Sequence, residues 1–267
     1  MSSVAALQTL SARRLALTAR TPRQIVVPLL TPIMFALVIA PALKEALGGL
    51  GGHIDYTAFV AIGTVGLLVP LTAMFAGLSV IVDRDSGAQR ELLAAPIPRG
   101  LLVVGNLLVA LGVAALQVVV LFAVATARGA DFHPTAGGIA WFIAASILFA
   151  VFMYGAAETL AARVPKQEEY IGAVPAIAIL PWFFAGALFP ISALPGALTA
   201  FAKVLPLTHA LAVMRYGLLG DHGQNLHAIW GGGSAAVQAA LSVGVVALFA
   251  VALTAISIRV FSRAASA

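Results

Sequence analysis

Residues 56–82 read YTAFVAIGTVGLLVPLTAMFAGLSVIV, a run without a formal charge, fenced by Asp55 on one side and Asp83 on the other. A helix needs about 20 apolar residues to cross the hydrocarbon core of a bilayer, so this stretch predicts a complete crossing. A lone strand is excluded, because in lipid it leaves its backbone amides and carbonyls unpaired. The reading extends outward in both directions. Upstream, no charge stands between Arg23 and Lys44; downstream, none stands between Arg99 and Arg128 or between Asp131 and Glu158. Two longer uncharged runs follow, from Glu169 to Lys203 and from Asp221 to Arg259.

The expected fold is therefore an all-α polytopic membrane protein, a single transmembrane domain over residues 1–267 with six spans at 24–43, 57–82, 101–127, 138–162, 170–190 and 233–258. Composition points the same way. Hydrophobic residues make up 61% of the chain and charged residues 9%, against roughly 25% charged in a soluble domain. The net charge of +5 is spread in short clusters between apolar runs, which excludes a nucleic-acid partner and fits contact with lipid headgroups. Cysteine is absent, so thiolate chemistry is excluded. The segment 1–23 carries four arginines and no long apolar run, so no cleaved signal peptide is expected.

Orientation follows from the basic residues. One side of the six-span frame holds eleven, including Arg13, Arg14, Arg20, Arg23, Arg84, Arg90 and Arg99; the other holds four, Lys44, Arg128, Lys203 and Arg215. The positive-inside rule then puts both termini in the cytoplasm of a bacterium, with the chain in its inner membrane. Three segments do not span. Residues 4–20 gather Val4, Leu7, Leu10, Leu15 and Leu17 on one arc, with Arg14 snorkelling out of it; this predicts a helix lying in the interface. Residues 83–100 form a charged inner loop. In 190–220, Thr208 is expected to cap a helix whose Leu207, Leu211, Met214 and Leu218 form an apolar stripe ending at Gly220, dipping into the membrane from outside.

Several chemistries are missing. No glycine precedes any of the three lysines, so the chain has no P-loop and binds no ATP by that means. The histidines, His53, His133, His209, His222 and His227, all fall in the expected outer loops and lack metal-site spacing; no metal is expected. Glu158 is the one ionisable residue inside a span. Arg163 follows five residues later, about 7.5 Å along the axis, so Glu158 is expected near the inner interface, paired with Arg163 or hydrated. Prolines break the first, second and fifth spans, at Pro28, Pro32, Pro70, Pro175 and Pro181 among others. Each frees a carbonyl, so these spans, with Phe75, are expected to line a translocation path.

Two segments carry more. The first is Asp83-Arg84-Asp85-Ser86-Gly87-Ala88-Gln89-Arg90-Glu91-Leu92-Leu93-Ala94-Ala95-Pro96-Ile97-Pro98-Arg99. It resembles the cytoplasmic loop of the ABC type-2 exporter permeases, with an acidic/basic-x-x-G-x-x-x-x-L-x-x-x-P form. The second runs Phe183-Phe184-Ala185-Gly186-Ala187-Leu188-Phe189-Pro190-Ile191, then Leu194-Pro195, Leu205-Pro206-Leu207-Thr208-His209 and Arg215-Tyr216-Gly217-Leu218-Leu219-Gly220. It is similar to the same family's signature around the fifth span, closest in flavour to daunorubicin-class, drug-resistance permeases.

That resemblance implies a non-catalytic half-transporter. A P-loop ATP-binding subunit in two copies would carry ATP and Mg, and this chain would hold no cofactor. A second permease chain, identical or paralogous, would complete the pore. Asp83, Arg84, Asp85, Gly87, Arg90, Glu91, Leu92, Leu93 and Pro96 would couple to the ATPase. Phe184, Gly186, Phe189, Pro190, Pro195, Pro206, Thr208, His209 and Arg215 would build an outer gate, with Arg215 and His209 meeting an anionic substrate or anchoring to headgroups. The cargo would be an amphipathic drug-like or lipid-like molecule. The alternative is a proton-coupled secondary carrier that uses Glu158.

Overall fold

The computed structural model describes residues 3–47, 55–94, 98, 100–220 and 224–264. Pro96, and the side chains of Pro28, Pro32, Arg90 and Leu93, lie outside the described set. Among the described residues the regular structure is all helical. Within the described residues, four unbroken helices are long and apolar enough to cross a bilayer: α4 (Tyr56–Asp85), α6 (Gly100–Ala127), α7 (Ala136–Ala161) and α13 (Ala235–Ala264). The short α10 (Gly196–Ala202) and α11 (Pro206–Leu219) meet at 80° and make a fifth if together they form one crossing. The chain is thus an α-helical multi-pass membrane protein.

The stretches read as the first and fifth spans are helical but not uniform. α2 (Arg23–Met34) passes through a π turn at Phe35–Ile39 into α3 (Ala40–Leu47), and α8 (Gln167–Val174) passes through one at Pro175–Ile179 into α9 (Leu180–Phe184). Each turn closes just ahead of a proline. Ala40 N donates to Phe35 O immediately before Pro41, and Leu180 N donates to Pro175 O immediately before Pro181. A proline ring crowds the carbonyl four residues back and cannot bond to it; widening the turn by one residue relieves both problems. The fifth run also stops at Phe184 instead of 190, because Gly186 takes φ 78° and turns the chain.

α4 is the central post. Asp55 caps its start by accepting from Thr57 N at 2.9 Å, and its other carboxylate oxygen accepts from Asp131 N at 2.7 Å, tying that end to the α6–α7 loop. Every residue from Thr57 to Pro70 is buried. The helix is apolar all round, and such a helix has no solvent or lipid face to prefer; α2, α6, α7 and α11 enclose it. Small residues allow close approach. A Cβ on Gly63 of α4 would lie 2.0 Å from Ala187 O, and one on Gly138 of α7 would lie 2.0 Å from Gly217 O of α11. Backbones come this near only where glycine stands, the small-residue packing typical of helices in lipid.

The first helix, α1 (Ser3–Arg20), departs from the sequence reading at Arg14. Its buried residues are Ala6 and Arg14, and it packs along α6. Val4, Leu15 and Leu17, placed in the apolar stripe, are exposed. Arg14 does not snorkel outward. It turns into the bundle, because a carboxylate on α4 waits for it there.

Candidate functional site

Two clusters occupy opposite ends of α4, separated by about 36 Å at 1.5 Å per residue from Phe59 to Asp83. At the C-terminal end, Asp83 accepts from Arg14 Nη1 at 3.1 Å and lies 3.7 Å from Arg13 Nη2. Arg14 Nη2 also reaches Ala76 O at 3.5 Å. The next residue, Arg84, donates to the carbonyls of Ala161, Val164 and Pro165 at 3.0–3.1 Å, clasping the chain just beyond α7. Gly87, at φ 81°, then turns the chain into the short α5 (Ala88–Ala94). Leu92 packs inward among Leu10, Leu102 and Val103.

The residues expected to couple to an ATPase therefore divide. Asp83 and Arg84 are engaged within the chain and tie the end of α4 to α1 and to the end of α7, while Leu92 packs α5 against α6. Asp85, within 3.6 Å of Arg84, and Glu91 stay exposed. The side chains of Arg90 and Leu93, and the whole of Pro96, lie outside the described set. The arrangement is a charged knob on a braced stem.

At the N-terminal end of α4 lies the turn at 185–187. Arg215 of α11 is only 2% exposed and donates to Gly186 O at 2.8 Å, Ala187 O at 2.9 Å and Phe59 O at 3.3 Å. Its guanidinium lies 3.4 Å from the centre of the Phe59 ring, a cation–π contact in a desolvated site. Trp182 Nε1 adds a bond to Gly63 O at 2.7 Å. Arg215 is thus neither a headgroup anchor nor open to an anionic substrate; it staples the turn to the central helix. A planar fork suits that task, since it reaches several carbonyls at once.

His209 is buried as well, contrary to its expected place in an outer loop. Trp230 Nε1 donates to Ser242 Oγ at 2.8 Å, and Ser242 lies 3.2 Å from His209 Nδ1. His209 Nε2 meets Lys203 O at 3.0 Å. A carbonyl only accepts, so the neutral ring carries its proton on Nε2 and accepts from the serine at Nδ1. This chain of bonds joins α10, α11, α13 and α12 (Gln224–Trp230). Thr208 does not cap α11: the cap is Leu205, with Pro206 at the first helical position, and Thr208 is buried inside the first turn. The expected stop at Gly220 is found, at φ 58°. The stripe Leu207, Leu211, Met214 and Leu218 is buried, but so is most of the helix around it. Pro190 precedes a 3₁₀ turn at Ile191–Ala193, and Pro195 precedes α10. Phe184 packs edge-on to Phe201, 5.8 Å between ring centres, and Phe189 is half-buried.

Two polar groups inside the bundle change the sequence picture. Glu158 is 2% exposed and makes no ion pair with Arg163 among the described residues; it accepts from the Tyr154 hydroxyl one turn back. Asn106 of α6 lies beside that hydroxyl. Gln117 of α6 passed unremarked in the sequence because it carries no charge. It accepts from Thr72 Oγ1 at 2.6 Å and donates to Ile25 O, joining α6, α4 and α2. Its only signal was an amide in the middle of an apolar run, where lipid offers it no partner.

The expected path residues are scattered. Pro70 and Pro181 border one apolar cavity of about 220 Å³, together with Pro206 from the expected outer gate. Phe75 lines a separate crevice with Arg14, Thr72 and Asn106. Pro175 is exposed.

Residues 5–219 match the family model described as ABC-2 type transporter. No curated protein matches the chain.

Proposed function

Because the chain belongs to the ABC-2 transporter family, we propose that it is the permease half of an ATP-driven exporter whose ATP is hydrolysed by a separate P-loop subunit. The chain crosses a bacterial inner membrane six times, with its broken first and fifth helical runs as crossings and both termini in the cytoplasm. Two ATPase copies and a second permease, identical or paralogous, complete the machine, and the cargo is an amphipathic drug-like or lipid-like molecule.

The observation that supports this best is the braced knob at the end of α4. Asp85, the last residue of α4, and Glu91 of α5 are exposed beside a stem that Arg84 fastens to the α7 end and that the Arg14–Asp83 pair fastens to α1. Exposed carboxylates on a rigid stem suit charge-assisted bonds to a soluble partner, and the stem passes the partner's movement to the centre of the bundle. The test replaces Asp85 and Glu91 together with alanine in the reconstituted permease–ATPase complex. Uncoupled ATP hydrolysis with export lost supports the dock; unchanged export refutes it.

A carrier driven by protons would rest on Glu158, which is buried beside Tyr154. Uptake by proteoliposomes holding this chain alone, under a pH gradient and without ATP, separates the two readings: transport that disappears in Glu158→Gln replaces the exporter reading.

A further inference from the structure

Protein interiors are packed about as densely as organic crystals, and voids larger than a water molecule are few. The cavity beside Pro70 is an exception, at about 220 Å³. Its floor is buried: Pro70 of α4, Phe149 and Met153 of α7, Ala178 in the fifth helical run and Leu207 of α11. Its rim is half-buried, formed by Phe152 and Ala156 of α7, Ile177, Pro181 and the Leu205–Pro206 step. Among the described residues no charged side chain lines it, so water gains almost no partners there.

The backbone explains why the space persists. Three of the elements around it carry a proline or a widened turn where they meet it. The π turn ahead of Pro181 swells the fifth run, Pro206 starts α11 after the 80° bend from α10, and Pro70 interrupts the ladder of α4. Rings at these positions fix the local backbone and resist the collapse that would close the void. Ala156 and Ala178 contribute little side-chain volume to the lining.

We propose that this cavity is a binding site for an uncharged hydrocarbon group, a ring or a short length of chain, entering from the side of the bundle past Phe152 and Ile177. Size decides the class. An apolar cavity of about 150 Å³ stays dry and takes benzene, so a space of about 220 Å³ accepts a larger ring or several methylenes, and its lining rejects a charged end. Two sources supply such a group: the acyl tail of a membrane lipid, or the apolar part of a transported molecule. The site stands on the cavity alone; only the second source rests on the exporter reading.

The test is photolabelling in lipid nanodiscs with two probes, a phospholipid carrying a diazirine in its acyl chain and a small neutral aryl diazirine. Adducts are mapped by mass spectrometry. Met153 and Phe149 on the floor are compared with Leu121, which is fully buried elsewhere. At least tenfold more adduct on the floor than on Leu121 is expected. Ala156→Phe, which fills the rim, lowers floor labelling about tenfold while leaving the exposed Leu248 and Val119 unchanged. Floor labelling by the phospholipid probe assigns the site to a membrane tail; labelling by the aryl probe alone assigns it to a free apolar group. Floor labelling no higher than at Leu121 with both probes overturns the proposal, and that comparison needs only the unmodified chain. Insensitivity of floor labelling to Ala156→Phe overturns it too. Neither readout uses ATP, so failure here leaves the dock on α5 to its own test.

Discussion

Breaking the Arg14–Asp83 pair measures how firmly α1 is fastened to the bundle. The side chains are 7% and 15% exposed, and Nη1 lies 3.1 Å from the carboxylate. With charge centres about 4 Å apart and an effective dielectric near 20, the attraction is about 4 kcal/mol. Removing one member of such a buried pair usually costs about 3–5 kcal/mol, because the other charge is left without its partner. Here Arg13, 3.7 Å from Asp83 but 37% exposed, offsets about 1 kcal/mol of that. Arg14→Met is therefore expected to lose about 2–4 kcal/mol, and Asp83→Asn, which strips both arginines of their partner, about 3–5 kcal/mol. The double variant should recover part of that, with a coupling of about 2 kcal/mol, within the range found for residues in direct contact. The assay is reversible unfolding by SDS titration of the protein in mixed micelles, run as a double-mutant cycle at 0.1 and 1 M NaCl. A shielded pair keeps its coupling in high salt, whereas a solvated pair loses it within a Debye length of about 3 Å. A coupling below about 0.5 kcal/mol, or one abolished by salt, would show that α1 is held by lipid and not by the ion pair.

Other outcomes follow from single contacts. Arg215→Lys keeps the charge but cannot span Gly186, Ala187 and Phe59 together; a loss of about 2–4 kcal/mol is expected in the same unfolding assay. Gly63→Ala drives a methyl to 2.0 Å from Ala187 O and should cost about 1–3 kcal/mol or more, while Gly112→Ala in α6, with nothing near it, should be neutral or slightly stabilising. Gln117→Leu removes the links to Thr72 and Ile25, and a loss of about 0.5–1.5 kcal/mol is expected, in line with polar contacts between membrane helices. In this cysteine-free chain, Asp85→Cys should react with an impermeant maleimide only in inverted vesicles, and the exposed Lys203→Cys only in intact cells; the reverse pattern would invert the topology.

The sequence alone determined the class of the molecule. Charges are so few that their absence marks the helices: desolvating a side-chain charge in lipid is costly, so every long uncharged run had to be buried or inserted whatever its neighbours were. The family was legible for a related reason, because the prolines, glycines and charges at 83–99 and 183–220 sit at fixed spacings along one chain. Tertiary structure alone decided what the polar side chains do. Arg14, Asp83, Arg84, Glu158, His209 and Arg215 all have the composition of surface or lipid-facing groups, and each one instead meets a partner within the bundle. Periodicity places a residue on a face of its own helix but says nothing of which helix stands opposite. Asp83 meets Arg14 from another helix far along the chain, and Arg215 meets Phe59 from further still. In a medium that offers no water to a stranded polar group, those distant pairings fix the geometry, and they exist only once the helices have packed.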